Sequence, residues 1–355
     1  MLRRILFVLY LIFFVKIFAQ TTKFDSTFQI HGGVDYYLGT QLTNFDQEIV
    51  PVYVSHNRLN STAINLALLE ISYQPTKNIR FQISPAFGSY MNANYAAENK
   101  NLRWIYEGYV GLKPFKKKDE WIDIGVMSSP YTYEFAKSWE QPMYTRSIAP
   151  EYVPYYLLGI RYKRKLNEKL SLTTFILNGW QKLEFQRKIP SLGTQLEITD
   201  GKNYLSWTTY QGNEKSDSQP DFGYRVFSDV SWIYTSSKYK IFSCLYAGMQ
   251  YRSSLAYFWG QFNVGLECKI KKELFLNGRI EHFVDPSNIQ ISQANIQGFN
   301  CSGLSLGLKY VLSENLFLRT EAKVLRDNLL SGYFLKETEF QRNLSLVFLG
   351  LNLRF

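Results

Sequence analysis

Gly-Leu-Ser-Leu-Gly at 303–307 satisfies G-x-S-x-G, with Ser305 at its centre. In a hydrolase that serine stands on a sharp strand-to-helix turn, and a histidine and an acid from elsewhere complete the relay. Here the motif lies within Ser-Gly-Leu-Ser-Leu-Gly-Leu-Lys-Tyr, a run that alternates in the way of a strand. An extended backbone does not make the elbow, so the motif points away from an enzyme. The three histidines, His31, His56 and His282, and the three cysteines, Cys244, Cys268 and Cys301, are far apart in the chain. Neither set has metal-ligand or disulfide spacing, and no cofactor is implied.

Charged residues form a second group. Arg103 and Glu107, Arg279 and Glu281, and Arg319, Glu321 and Lys323 are separated by even numbers of residues. Even spacing places each set on one face of an extended strand. The other face is apolar: Trp104, Tyr106, Val110 and Leu112 beside the first set, Leu316, Leu318, Ala322 and Val324 beside the last. The same division sets Phe28, Ile30, Val34, Tyr36 and Leu38 against Thr27, Gln29, His31 and Asp35. Charges opposite a clean apolar stripe suit a water-filled lumen within a lipid-facing wall. The charged groups then have two readings. They line a pore and bias ion passage, or they pair across strands and hold the wall together.

The elements that would position them are short strands. Sixteen are expected, starting near residues 26, 60, 79, 102, 121, 155, 169, 191, 203, 222, 239, 256, 273, 300, 315 and 342. Short turns, as at 76–78, 167–169 and 313–315, separate them from longer links such as 39–57, 128–154 (the third in order), 286–299 and 328–340. Alternation of short and long connections is the pattern of an outer-membrane barrel, with turns in the periplasm and loops outside. The fold class expected is all-β, a transmembrane antiparallel up-and-down β-barrel. Its last strand, Asn-Leu-Ser-Leu-Val-Phe-Leu-Gly-Leu-Asn-Leu-Arg-Phe, would pair with the first and leave no apolar edge.

Residues 1–19, with Arg3 and Arg4 before an apolar run that ends at Ala19, read as a cleaved signal peptide, and 20–355 as a single barrel domain. No later run is long enough for a membrane helix. The net charge is +10, of which Arg3, Arg4 and Lys16 account for three, leaving +7. The excess is concentrated in turns such as 113–120, 163–169 and 269–273, so it reads as solvated turns, with no nucleic-acid partner. Tyr and Phe number 26 each. Aromatics such as Trp104, Trp121, Trp180, Trp232 and Tyr234, near expected strand ends, fit interfacial girdles.

Several stretches resemble the OmpL-like β-barrel porins of the second type. They are Ile-Asp-Ile-Gly-Val-Met-Ser-Ser-Pro-Tyr-Thr-Tyr-Glu (122–134), residues 143–163, Ile-Leu-Asn-Gly-Trp-Gln (176–181), Leu-Asn-Gly-Arg-Ile-Glu-His-Phe-Val-Asp-Pro (276–286) and residues 303–323. The resemblance implies a porin in the outer membrane of a Gram-negative bacterium, passing small hydrophilic solutes or ions. Its partners would be outer-membrane lipid and possible further copies of the chain as a homo-oligomer. By analogy with general porins, the third long connection would fold inward, with Glu134, Lys137, Glu140, Arg146 and Glu151 lining a constriction. The alternative is an outward surface loop. The alternative function is a non-conducting barrel with a structural or secretion-accessory role, using basic turns such as Lys116, Lys117 and Lys118 for docking.

Overall fold

The computed structural model describes residues 27–42, 48–115, 119–184, 189–215, 220–291, 298–329, 333–336 and 339–355. Residues 1–19, expected as a signal peptide, and Lys116 to Lys118 therefore lie outside the described residues. The period-two pattern becomes strands close to the positions expected. They are β1 (Phe28–Gln41), β2 (Ser61–Thr76), β3 (Ile79–Phe87), β4 (Ile105–Leu112), β5 (Glu120–Ser128) and β6 (Tyr156–Lys165). Next come β7 (Leu170–Leu177), β8 (Ser191–Thr199), β9 (Asn203–Asn213), β10 (Phe222–Thr235), β11 (Tyr239–Arg252) and β12 (Leu255–Lys269). The last are β13 (Leu274–Asp285), β14 (Phe299–Ser313), β15 (Leu316–Asp327), a hairpin of β16 (Phe334–Lys336) and β17 (Glu339–Gln341), and β18 (Asn343–Arg354).

Among the described residues, sixteen strands pair antiparallel with their neighbours and β18 pairs with β1, closing the barrel. Leu349, Leu351 and Leu353 of β18 are exposed on the outside, opposite Leu38, Tyr36 and Val34 of β1. Facing lipid, these side chains leave no unpaired apolar edge. The short turns and both ends of the barrel share one rim, which by the general pattern of outer-membrane barrels is the periplasmic one. The long connections share the other.

Four details differ from the sequence reading. Strand β4 begins at Ile105, so Trp104 precedes it. Arg103 is likewise outside the strand, and its guanidinium donates to the carbonyls of Glu98 (3.0 Å) and Ala96 (2.7 Å). Tyr106, expected beside Val110 on the apolar face, is buried with Tyr90, Met91 and Tyr95 of the preceding connection, where the β3–β4 register shifts at Ser84/Pro85. Two tryptophans leave the expected girdles: Trp121 stacks on the Arg80 guanidinium, and Trp180 packs among Tyr210, Phe227 and Arg225. The final connection, expected only as a long link at 328–340, also contains the β16–β17 hairpin.

A charged segment across the lumen

The connection between β5 and β6, residues 129–155, enters the barrel. Its irregular backbone must find hydrogen-bond partners there, and the inward faces of the strands supply them. The backbone N–H of Tyr144 and Thr145 donate to Glu321 Oε2 of β15 at 2.9 and 2.8 Å. Ile148 N–H donates to Glu281 Oε2 of β13 (2.7 Å), and Ala149 N–H to Gln261 Oε1 of β12 (2.8 Å). In the other direction, Arg319 Nη1 donates to the Ser138 carbonyl (2.5 Å) and Lys323 Nζ to that of Arg146 (2.7 Å). Thr132 reaches Asp229 of β10, and Lys137 reaches Glu70 of β2. Partners on strands from β10 round to β2 mean that the segment crosses the lumen. The outward surface loop is not what forms.

The expected charged residues divide by depth. Arg279 and Glu281, with Arg319, Glu321 and Lys323, are all buried, as are Glu134, Arg146 and Glu151 from the segment. Arg279 Nη1 lies 2.5 Å from Glu134 Oε1, and its Nη2 3.6 Å from Glu281 and 3.8 Å from Glu321. The pairs are formed between wall and segment more than between neighbouring strands. Arg146 lies over the Tyr155 ring at 4.2 Å, with Glu151 at 3.8 Å. Glu151 also accepts from the backbone N–H of Val54 and Ser55 and from the Ser55 hydroxyl, so it ties the β1–β2 connection to the segment.

Lys137 and Glu140 sit lower and wetter. They border a cavity of about 580 Å³ towards the periplasmic rim, with Glu70, Glu107 and His31. Glu107 also accepts from the Ser128 N–H at 2.9 Å. Arg103 is not brought to this group. Burial opposes the charge on Lys137, but Glu140 and Glu70 outweigh it and raise the ammonium pKa above the usual lysine value. A smaller cavity, about 280 Å³, lies at the opposite end and is bordered by Glu151, Trp180, Lys182 and Arg225.

Sequence reading missed the tightest junction. Asp35 of β1 is buried and accepts five hydrogen bonds. They come from His56 Nε2 (2.8 Å), Asn65 Nδ2 (3.0 Å), Ser138 Oγ (2.8 Å), Tyr144 OH (2.8 Å) and Asn352 Nδ2 (2.8 Å). The alternation of β1 placed Asp35 inward. Nothing in the sequence could join it to partners from four other stretches of chain. Ser305, by contrast, is buried between Arg279 and Lys323 in register, while His282 bonds Ser302 on the outer face of the wall. The wall therefore separates His282 from Ser305.

A closed antiparallel barrel, apolar outside, charged inside and crossed by an inward segment, defines an integral outer-membrane barrel of the porin type. The chain belongs to the OmpL-like β-barrel porins of the second type, the family described as "Putative beta-barrel porin-2, OmpL-like", whose model matches residues 27–355. None of the curated proteins matches the sequence. Among solved structures, OmpF of Salmonella typhi in complex with daunomycin is similar at 11% identity and TM-score 0.65, covering 92% of this chain and 97% of that one. An anion-selective porin from Comamonas acidovorans is similar at 10% identity and TM-score 0.63, covering 93% and 100%. OmpT of Vibrio cholerae in trimer form is similar at 10% identity and TM-score 0.55, covering 93% and 99%. At these identities the likeness is one of fold.

Proposed function

We propose that this barrel is a passive pore for small hydrophilic solutes, with the 129–155 segment as its constriction and no catalytic step. The observation that carries the reading is the water-accessible cavity of about 580 Å³ beneath the segment, bordered by Glu70, Glu107, Lys137 and Glu140. A polar cavity against a charged crosspiece inside a lipid-facing wall is the arrangement by which lumen width and charge select solutes. The test is planar-bilayer conductance of the refolded protein, with a salt gradient to read the reversal potential. Stable steps support the pore. Silence from a correctly folded, heat-modifiable barrel overturns it.

One observation favours the second reading, a non-conducting barrel with an accessory role. At mid-height the side chains of Arg279 and Glu321 are 0% exposed and that of Glu281 1%. A lumen packed to that degree would block solutes unless the segment moves. The trimer form of the Vibrio cholerae protein also makes self-association a reading for this chain. Mass measurement of the same detergent preparation tests it.

A further inference from the structure

Register aligns four residues across four strands near the periplasmic rim. Arg80 of β3 pairs with Gly111 of β4, Gly111 with Asp123 of β5, and Asp123 with Arg161 of β6. Paired residues share a face. This is the inward one, since Ile124 and Ile160, next along their strands, are exposed on the outside. Gly111 makes the row possible. A Cβ there would stand 2.4 Å from Asp123 Oδ1 and 2.5 Å from Arg80 Cγ. With no side chain in the way, Arg80 reaches across a whole strand. Its Nε and Nη2 donate to Asp123 at 2.9 and 2.8 Å. Arg161 approaches the same carboxylate from the other side, with Nε at 2.9 Å and Nη2 at 2.8 Å.

One buried carboxylate thus anchors two guanidiniums, and the row carries a net positive charge. Aromatic rings fix the guanidinium planes: Arg80 lies 4.2 Å from the Trp121 ring, and Arg161 5.1 Å from that of Tyr109. Each guanidinium commits one edge to Asp123. Among the described residues, neither Nη1 has a hydrogen-bond partner. The Arg80 and Arg161 side chains keep 28% and 17% exposure, while Asp123 has none. Arg80 also borders a cavity of about 570 Å³. Two held forks with free N–H ends towards water match the oxygens of a carboxylate or phosphate. A single mobile lysine would not.

We propose that the Arg80–Asp123–Arg161 row is a binding site for small oxyanions, carboxylate or phosphate, at the periplasmic end of the lumen. The proposal rests on the pore reading for how such a solute arrives, and names its class. Binding can be read without conduction. Inorganic phosphate is titrated with the refolded barrel in detergent micelles and followed by phosphorus NMR, with succinate and chloride as competitors. Saturable binding, displaced by succinate at lower concentration than by chloride, is expected. Preference for phosphate over succinate, or the reverse, then tells the two oxyanions apart.

The Arg80→Gln, Arg161→Gln double variant should weaken binding about tenfold or more. Gly111→Ala keeps every charge but displaces Arg80, and should weaken it comparably. A simple excess of positive charge would leave Gly111→Ala unchanged. Folding of each variant is checked by its heat-modifiable band, and if Gly111→Ala does not fold the arginine variant decides. Phosphate binding that is absent, or unaltered in the arginine variant, overturns the site, whatever the bilayer shows. Binding together with silence in the bilayer supports the site and overturns the pore.

Discussion

At the residue scale, the buried polar groups that matter are those joining the segment to the wall. Asp35 gathers five donors from His56, Asn65, Ser138, Tyr144 and Asn352. Removing an acceptor strands its donors, and each buried unpaired polar group costs about 1–3 kcal/mol. Asp35→Ala should therefore lower barrel stability by on the order of 3 kcal/mol or more. The check is a lower temperature for conversion of the heat-modifiable band. A variant at the exposed turn residue Lys272 should leave that temperature unchanged. Glycine acts here through space: a Cβ at Gly350 would stand 1.8 Å from the Tyr144 hydroxyl. Gly350→Val should push Tyr144 off Asp35 and lower the conversion temperature, though neither bonding partner is altered.

At the scale of the element, the 129–155 segment holds its place by bonds to β10, β12, β13, β15 and β1, with little regular structure of its own. Deleting residues 134–150 removes Glu134, Lys137, Glu140 and Arg146 and should raise single-channel conductance. Equal conductance in the deletion would put the segment off the solute path. The anchor to β2 is pH-tolerant. Because Glu140 and Glu70 raise the Lys137 pKa, the Lys137 contribution is complete at neutral pH and is lost only as pH climbs past the ordinary lysine value of 10.5. Conductance measured between pH 6 and pH 9 should show no step from this group, and Lys137→Met should remove the anchor at every pH in that range.

At the scale of the whole molecule, charge is arranged by level. Around the segment, Arg146, Arg279, Arg319 and Lys323 meet Glu134, Glu151, Glu281 and Glu321, with Asp35 and Asp229 as further buried carboxylates. Towards the periplasm the net positive Arg80 row, on β3 to β6, meets at β4 an acidic group of Glu70, Glu107 and Glu140. The sign of the reversal potential reports which of the two governs passage. Anion preference should fall in the Arg80→Gln, Arg161→Gln variant and rise in Glu70→Gln with Glu107→Gln. No change in either would mean that ions are selected elsewhere in the lumen.

The alternation of side chains by itself determined the wall. Strand starts read from period two lie within three residues of those observed, because along each strand one face must meet lipid and the other the polar interior of the barrel. The largest error, at β4, came from Trp104 and Tyr106 continuing the apolar period into a connection that the tertiary fold buries. The inward course of 129–155 was one of two readings that its sequence allowed. Only the closed barrel decided it, by bringing Asp35, Glu281, Arg319 and Glu321 round a common axis. The same holds for the Arg80–Asp123–Arg161 row. Its members are separated by dozens of residues, and only register places them side by side. Period two says which face a residue takes, and pairing alone says which residue it meets there.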